Sequence, residues 1–510
     1  MELSGLDIAA FVGFIAVVIG VSLYASRKEE TTEDYFLAGR KLTWWLIGFS
    51  LIASNISSEH FVGMAGSGFG NMGLAVAHYE WIAAVSLVIV GLVLLPRFLK
   101  AGIYTIPQFL EYRYSAGARA LMATYMMAMY VAVAFASVLY AGAMGLRSIF
   151  GTDMTLGVWL IGILAAAYTI YGGLKAVVWS DLLQGTALLI GGGIVMVLGF
   201  RAVGGVDSFM ATNADKLHLI LPADHPEIPW TALIVGIWIP NLFYWGLNQF
   251  ITQRTLAARS VSEGQKGIML AAALKLLIPF IIVFPGIMAY QLYADEVPKM
   301  DMAYPTLIKH ILPKGLRGVM FAALFGAVMS SLDSMLNSAS TIFTMDLYGR
   351  HFRPNASPKH LVTVGRIMTA VFVVVGCLIA PSLDNPKFGG IFKYIQMFQG
   401  FISPGILTVF VVGLIFRKAP PLAAIVGLLV NIPVYGLLLW LLPEVAFLNH
   451  MAITFGVVFA VMIVITLVRP MAEPKKMPVN EDIDLKPSPL AMAMGAAIVA
   501  ATVGLYIIFW

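Results

Sequence analysis

An apolar run begins near Trp44, and within it Ser54, Asn55, Ser57, Ser58, Glu59 and His60 crowd together, followed by Gly63, Gly66 and Gly68. A charged side chain at the centre of a bilayer costs about 2.5–3.5 kcal/mol or more, so such a cluster is not expected to face lipid. The spacing predicts a helix that breaks at mid-membrane, turning freed carbonyls toward a cation and side chains toward a polar solute. The competing reading is polar contact between packed helices.

Other polar residues fall inside apolar runs. Glu80 comes one helix after the break, and Lys275 sits among strongly apolar neighbours. Gln396 is a third case. Ala327, Ser330, Ser331, Ser334 and Ser338 follow the 3–4 spacing of one helix face, with Asp333 and Asn337 in the same run. That stripe also fits small-residue packing between helices. Glu80 and Lys275 fit either a structural ion pair or side chains snorkelling to the interface. Taken together as a site, their charges cancel and leave a neutral cavity rich in donors and acceptors. Such a cavity suits a sugar or polyol better than an anion, which would want an uncompensated Arg or a helix N-terminus; no Arg falls in an expected span core.

The elements that must hold these residues follow from composition. The chain has 510 residues, 60% hydrophobic and 12% charged, with a mean hydropathy of +0.87. That profile is an all-α polytopic membrane protein. Hydropathy gives fourteen transmembrane helices, at about 6–25, 43–70, 74–98, 117–148, 155–171, 178–200, 229–252, 264–293, 315–346, 361–381, 391–414, 418–442, 447–468 and 489–509. The first is read as a retained helix rather than a cleaved signal. Alternate loops starting with 26–42 hold most of the 32 Lys and Arg, among them Arg27, Lys28, Arg40 and Lys41. The positive-inside rule then puts both termini outside, on the extracellular or periplasmic face of a plasma membrane such as a bacterial inner membrane. The net charge of +5 is thus a topology signal and not a nucleic-acid footprint. Cys377 stands alone, so neither a disulfide nor a cysteine metal site is expected.

A second break is expected in 238–249, where Pro240 removes a backbone donor and Gly246 loosens the next turn. One interrupted helix opens the set 43–200 and another opens 229–414. Each set has five spans, so the second is reversed in the membrane, giving a five-plus-five inverted repeat with the site between the broken helices. The parts are then 1–42, an extra helix and cytoplasmic loop; 43–200, the first repeat; 201–228, an extracellular loop; 229–414, the second repeat; and 415–510, three peripheral helices. The charged, Pro-rich stretch 473–489 reads as a mobile cytoplasmic linker. No phosphate-binding loop, strand-helix GxGxxG or His-Glu metal motif is present, which argues against an enzyme.

The chain resembles the sodium:solute symporter family, in its sodium/galactose and sodium/glucose cotransporter branch. The matching segments are 33–40, Ala53 to Ser57, Tyr79-Glu80-Trp81, Tyr171 to Leu174 with Asp181, Gln253-Arg254, and the run from Met329 through Asp346. The resemblance covers nearly the whole chain. It implies a LeuT-type inverted-repeat core with one helix before it and three after. It also implies sugar contacts at Asn55, Glu80, Asn241, Lys275 and Gln396. Tyr244 would be an aromatic gate stacking on the sugar ring, with Trp245 beside it. His60 departs from the bacterial galactose pattern and matches the animal glucose pattern, Asn241 does the reverse, and Ala83 replaces a serine of the bacterial site. A sodium site is implied at the carbonyls of Ala53, Ile56 and Ala327 and the hydroxyls of Ser330 and Ser331, hard oxygen donors suited to that cation. The function implied is sodium-coupled import of a neutral, glucose- or galactose-like sugar by alternating access. Myo-inositol or another neutral solute is the alternative substrate, and a sugar sensor that moves nothing is the alternative class.

Asp333 departs from many relatives, which carry a small or hydroxyl residue there. It lies about 60° around the helix from Ser330, beside the implied sodium ligands. Two carboxylates brought close together repel unless a cation or proton lies between them. Asp181, Asp333 and Ser334 are therefore candidates for a second cation site; the alternative is an Asp exposed to a cytoplasmic exit path.

Overall fold

A computed structural model describes residues 4–26, 31–57, 59–383 and 391–510, without the side chains of 148–150 and 391–393. Ser58, Arg27 and Lys28 lie outside the described residues. The described chain is helical, and only the isolated bridges Leu42 to Ala258 and Ser260 to Asp484 join segments in strand fashion. Among the described residues, ten helices are long and apolar enough to cross a membrane.

The chain opens with α1 (Gly5–Ala25), capped by Ser4 and Asp7. The first expected interruption is present: α2 (Trp44–Asn55) ends in an extended residue, Ile56, and the chain resumes as α3, a π-helical turn Glu59–Met64 running into Ala65–Phe69. Helix α4 (Gly73–Lys100) carries Glu80, and α5 (Ala116–Arg147) contains a wide turn at Met129–Phe135.

The expected spans 155–171 and 178–200 form one element, α6 (Met154–Ala202), turned at Gly173 with φ 52° and ψ −147°. A straight helix would hold residues 168 and 180 about 18 Å apart along its axis. Tyr168 and Ser180 instead reach the same carboxylate oxygen of Asp333, so the chain doubles back at Gly173. A side chain there would run into the Tyr35 carbonyl, and the positive φ favours glycine.

The second interruption is also present, with its gap past Gly246 rather than at Pro240. Helix α7 (Trp238–Gly246) stops, Leu247 and Asn248 are non-helical, and α8 (Gln249–Leu256) follows. A separate turn at 235–237 precedes α7. Helix α9 (Val261–Tyr293) carries Lys275, and α10 (Leu316–Ile342) carries the serine stripe. After α11 (Pro358–Ile379) comes an interruption that the hydropathy reading missed. Helix α12 (Ile391–Gln399) ends, Gly400 to Ile402 turn, and α13 (Ser403–Ile415) begins. The last helices are α14 (Pro421–Leu441), α15 (Phe447–Val468) and α16 (Pro489–Ile508).

Burial separates centre from rim. The most apolar window of α10 and its continuation is 89% buried, that of α1 only 11%. Helix α10 packs on α6, α2 on both α9 and α6, and α4 on α9, so the polar residues of the spans meet in the middle. The stretch 473–489 is docked rather than loose. The Asn480 N–H donates to the Lys100 carbonyl at 2.6 Å, that of Val261 to Asp484 at 2.9 Å, and that of Ser488 to Gln265 Oε1 at 2.8 Å.

Candidate functional site

The break between α2 and α3 is built by its own side chains. The Ser57 hydroxyl accepts the Glu59 N–H at 3.1 Å, and the Ser57 N–H points at His60 Nδ1 at 3.4 Å. This starts α3 in a new direction and faces both halves onto one cavity. All the sequence-derived sugar contacts border it: Asn55, His60, Glu80, Asn241, Tyr244, Trp245, Lys275 and Gln396.

Lys275 is the hub. Its ammonium donates to Glu80 Oε2 at 2.5 Å and to Asn55 Oδ1, and lies 5.0 Å from the Trp245 ring centre. The second Glu80 oxygen faces His60 Nε2 at 3.4 Å. Asn55 Nδ2 donates to the Tyr244 hydroxyl at 3.1 Å, linking the end of α2 to α7. Tyr244 is braced edge-on by Trp245 and Phe250. Asn241 gives its amide to the Ile237 carbonyl at 2.9 Å, closing the turn before α7. Residues to which the sequence reading gave no binding role also border the space, among them Glu59 from the polar cluster at the break, Tyr130, Asn248 and Gln399.

Beside the cavity lies a second polar group with a different character. Asp181 of α6 accepts from Ser50 at 2.5 Å and Ser54 at 3.0 Å on one oxygen and from Ser330 at 2.5 Å on the other. The guanidinium of Arg254 in α8 pairs with Asp181 at 3.3 Å and donates to Ser334 at 2.8 Å and Ser50 at 2.7 Å. The hydropathy reading left Arg254 in a loop past the seventh span; it is fully buried at the centre of the fold. Asp333 is fully buried as well, not open to an exit path. It accepts from Tyr168 at 2.5 Å and Ser180 at 3.2 Å, with Ser334 at 3.3 Å from its other oxygen.

The residues that the resemblance assigns to sodium lie between these two groups. Helix α2 ends at Asn55, so the carbonyls of its last turn, including that of Ala53, lack an N–H partner four residues on within the helix. Ser331 reaches across from α10 to the neighbouring Ser54 carbonyl at 3.3 Å. Ser330 commits its hydroxyl hydrogen to Asp181, which leaves its oxygen lone pairs to face a cation. Ala53 and Ala327 are wholly buried and Ile56 nearly so. Carbonyl and hydroxyl oxygens of this kind fit a hard monovalent cation.

A helical membrane protein with interrupted helices around a buried polar cavity is the architecture of a secondary transporter. The pattern of the sodium:solute symporter family matches residues 35–431, and the chain belongs to that family. It is 43% identical over 484 residues to the sodium/glucose cotransporter of Vibrio parahaemolyticus, spanning 89% of this chain and 88% of that one. It is 37% identical to the uncharacterized symporter YidK of Escherichia coli, over 99% of this chain and 91% of the relative. It is likewise 37% identical to the sodium/myo-inositol cotransporter 2 of Oryctolagus cuniculus, over 84% and 68%. Among solved structures, a Na+-coupled sialic acid symporter in a substrate-bound outward-open state superposes with a TM-score of 0.83 at 23% identity, over 93% of this chain and 100% of that chain. That likeness establishes the fold alone.

Proposed function

We propose that the protein is a sodium-driven importer of a neutral sugar, glucose- or galactose-like, working by alternating access. The observation that carries this reading is the Asn55, Glu80 and Lys275 hub, which is tied through Tyr244 to α7 and so joins two of the interrupted helices across one cavity, and which presents paired charges with hydroxyl-binding donors and acceptors. The sodium/glucose cotransporter of Vibrio parahaemolyticus supports the substrate class, and the myo-inositol cotransporter supports a cyclic polyol as the alternative. Sodium is read as binding at Ala53, Ile56, Ala327, Ser330 and Ser331, where its arrival would tie α2 to α10.

The same reading takes the chain as fourteen spans. The ten long helices include the doubled-back α6, and the three interrupted helices complete the set. The five spans from 43 to 200 and the five from 229 to 414 form the inverted repeats, with 1–42 before them, 201–228 as an extracellular loop and 415–510 peripheral. Both termini lie outside, in a bacterial inner membrane. A second cation shared by Asp181, Asp333 and Ser334 is the less favoured option, because Arg254 already supplies a positive charge to Asp181 and Ser334.

The test is reconstitution into liposomes under an inward sodium gradient, with a panel of glucose, galactose, myo-inositol, proline and sialic acid. Hexose uptake is expected to require sodium and to be competed by a second hexose but not by proline or sialic acid. Saturable sugar binding without accumulation would make the protein a sensor, and sodium-independent uptake would remove the coupling.

A further inference from the structure

The cavity is lined by two acidic residues and one lysine. Among its charged lining residues, Lys275 is matched by Glu80 at 2.5 Å, which leaves Glu59 over. Glu59 is partly buried, and its carboxylate makes no ion pair or hydrogen bond among the described residues. It is the first residue of α3, its N–H held by Ser57. The positive end of a helix dipole favours a carboxylate at that point, but it supplies only about half a charge. The space in which the solute would sit is therefore bordered by one carboxyl group that no cation pairs with. His60, next in sequence, is directed at Glu80 at 3.4 Å.

We propose that Glu59 reads the charge of the transported sugar. It favours a hexose bearing a protonated amine over the same hexose bearing a hydroxyl, and it rejects one bearing a carboxylate. An ammonium donating to a carboxylate makes a charge-assisted bond, roughly twice as strong as a neutral one. An acidic sugar would instead meet the unpaired Glu59 carboxylate in a space of low dielectric where like charges repel strongly, because the charge of Glu80 is already matched by Lys275. This inference rests on the hexose reading given above.

The experiment compares glucose, glucosamine, N-acetylglucosamine and glucuronate as competitors of sodium-driven glucose uptake at neutral pH. In the wild type, glucosamine is expected to compete at about a tenfold lower concentration than glucose, the gain typical of a hydrogen bond to a charged group. N-acetylglucosamine, which keeps the nitrogen without its charge, should lose that advantage, and glucuronate should not compete. Glu59→Gln should bring glucosamine within about twofold of glucose, while Glu59→Asp retains the preference. An absent preference in the wild type, or one unchanged in Glu59→Gln, overturns the inference and leaves the hexose reading intact. Failure of the wild type to move any hexose under a sodium gradient overturns both.

Discussion

The group around Lys275 and the group around Asp181 are both buried polar clusters in an apolar protein, yet they are satisfied in opposite ways. Around Asp181, hydroxyls from α2 and α10 and a guanidinium from α8 turn inward on one carboxylate. Around Lys275, the ion pair is complete but its neighbours face the cavity. Closed networks rigidify, whereas side chains left facing space are positioned to take hydrogen bonds from a ligand. On the reading proposed above, the first cluster holds helices together and the second recognises the solute, although the same residue types build both.

The largest effect should come from breaking the closed cluster. Arg254→Ala leaves Asp181 buried without its cation beside a second carboxylate, and removing one partner of a buried pair costs about 3–5 kcal/mol. Thermal unfolding in detergent should shift well below the wild type, with sodium-driven uptake lost; Arg254→Lys should recover part of the stability. A wild-type unfolding profile in Arg254→Ala would show that Asp181 does not depend on the pair. Next in size is the recognition cluster. Lys275→Ala and Gln396→Ala each remove a hydrogen-bonding group that borders the cavity, worth about 1.5–3 kcal/mol where the group is charged and about 0.5–1.5 kcal/mol where it is neutral. Uptake at low sugar should weaken tenfold or more in Lys275→Ala and severalfold in Gln396→Ala. Gln396→Ala in particular should unfold near the wild-type temperature, because no ion pair is lost. Equal destabilisation by Gln396→Ala and Arg254→Ala would erase the distinction between the clusters.

How much of this could be read from the chain follows the range of each signal. The breaks at Ile56 and after Gly246 were legible because polar residues, Pro and Gly stand out against Leu and Val over a few positions. The break at Gly400 was missed, since aromatic and aliphatic neighbours conceal it. The clue was local all the same: Pro404 at the start of α13 marks a helix beginning, where proline costs least. Arg254 carried no local signal. It lies at the end of an expected span, and its partner Asp181 is 73 residues away on a helix that doubles back at Gly173. Docking of 473–489 was hidden for a different reason, because the hydrogen bonds that tie it down come from backbone N–H and carbonyl groups, and composition does not report on them.

A smaller effect isolates the ion from the sugar. Ser331→Ala removes one hard oxygen at the junction of α2 and α10 without disturbing Asp181. The apparent sodium affinity should fall and accumulation collapse at low sodium, while sugar competition at saturating sodium changes little. Full accumulation at low sodium would place the ion elsewhere.

The smallest expected effect is none, and it decides what Arg254 does. If the guanidinium stands where a second coupled cation would otherwise bind, one charge moves per sugar, and Asp333→Asn does not change that number. If Asp181, Asp333 and Ser334 share a cation of their own, the ratio falls from two to one in the variant. The stakes are energetic. One sodium crossing 100 mV down a tenfold gradient supplies about 2.3 and 1.4 kcal/mol, together enough for roughly 500-fold accumulation, and two would square that factor. Charge and sugar counted together in voltage-clamped vesicles give the ratio directly. The contacts favour one: Asp181 already has its cation, and Asp333 is met by the hydroxyls of Tyr168 and Ser180. A ratio of two in the wild type that drops to one in Asp333→Asn would overturn that assignment and turn the closed cluster into a second site of ion binding.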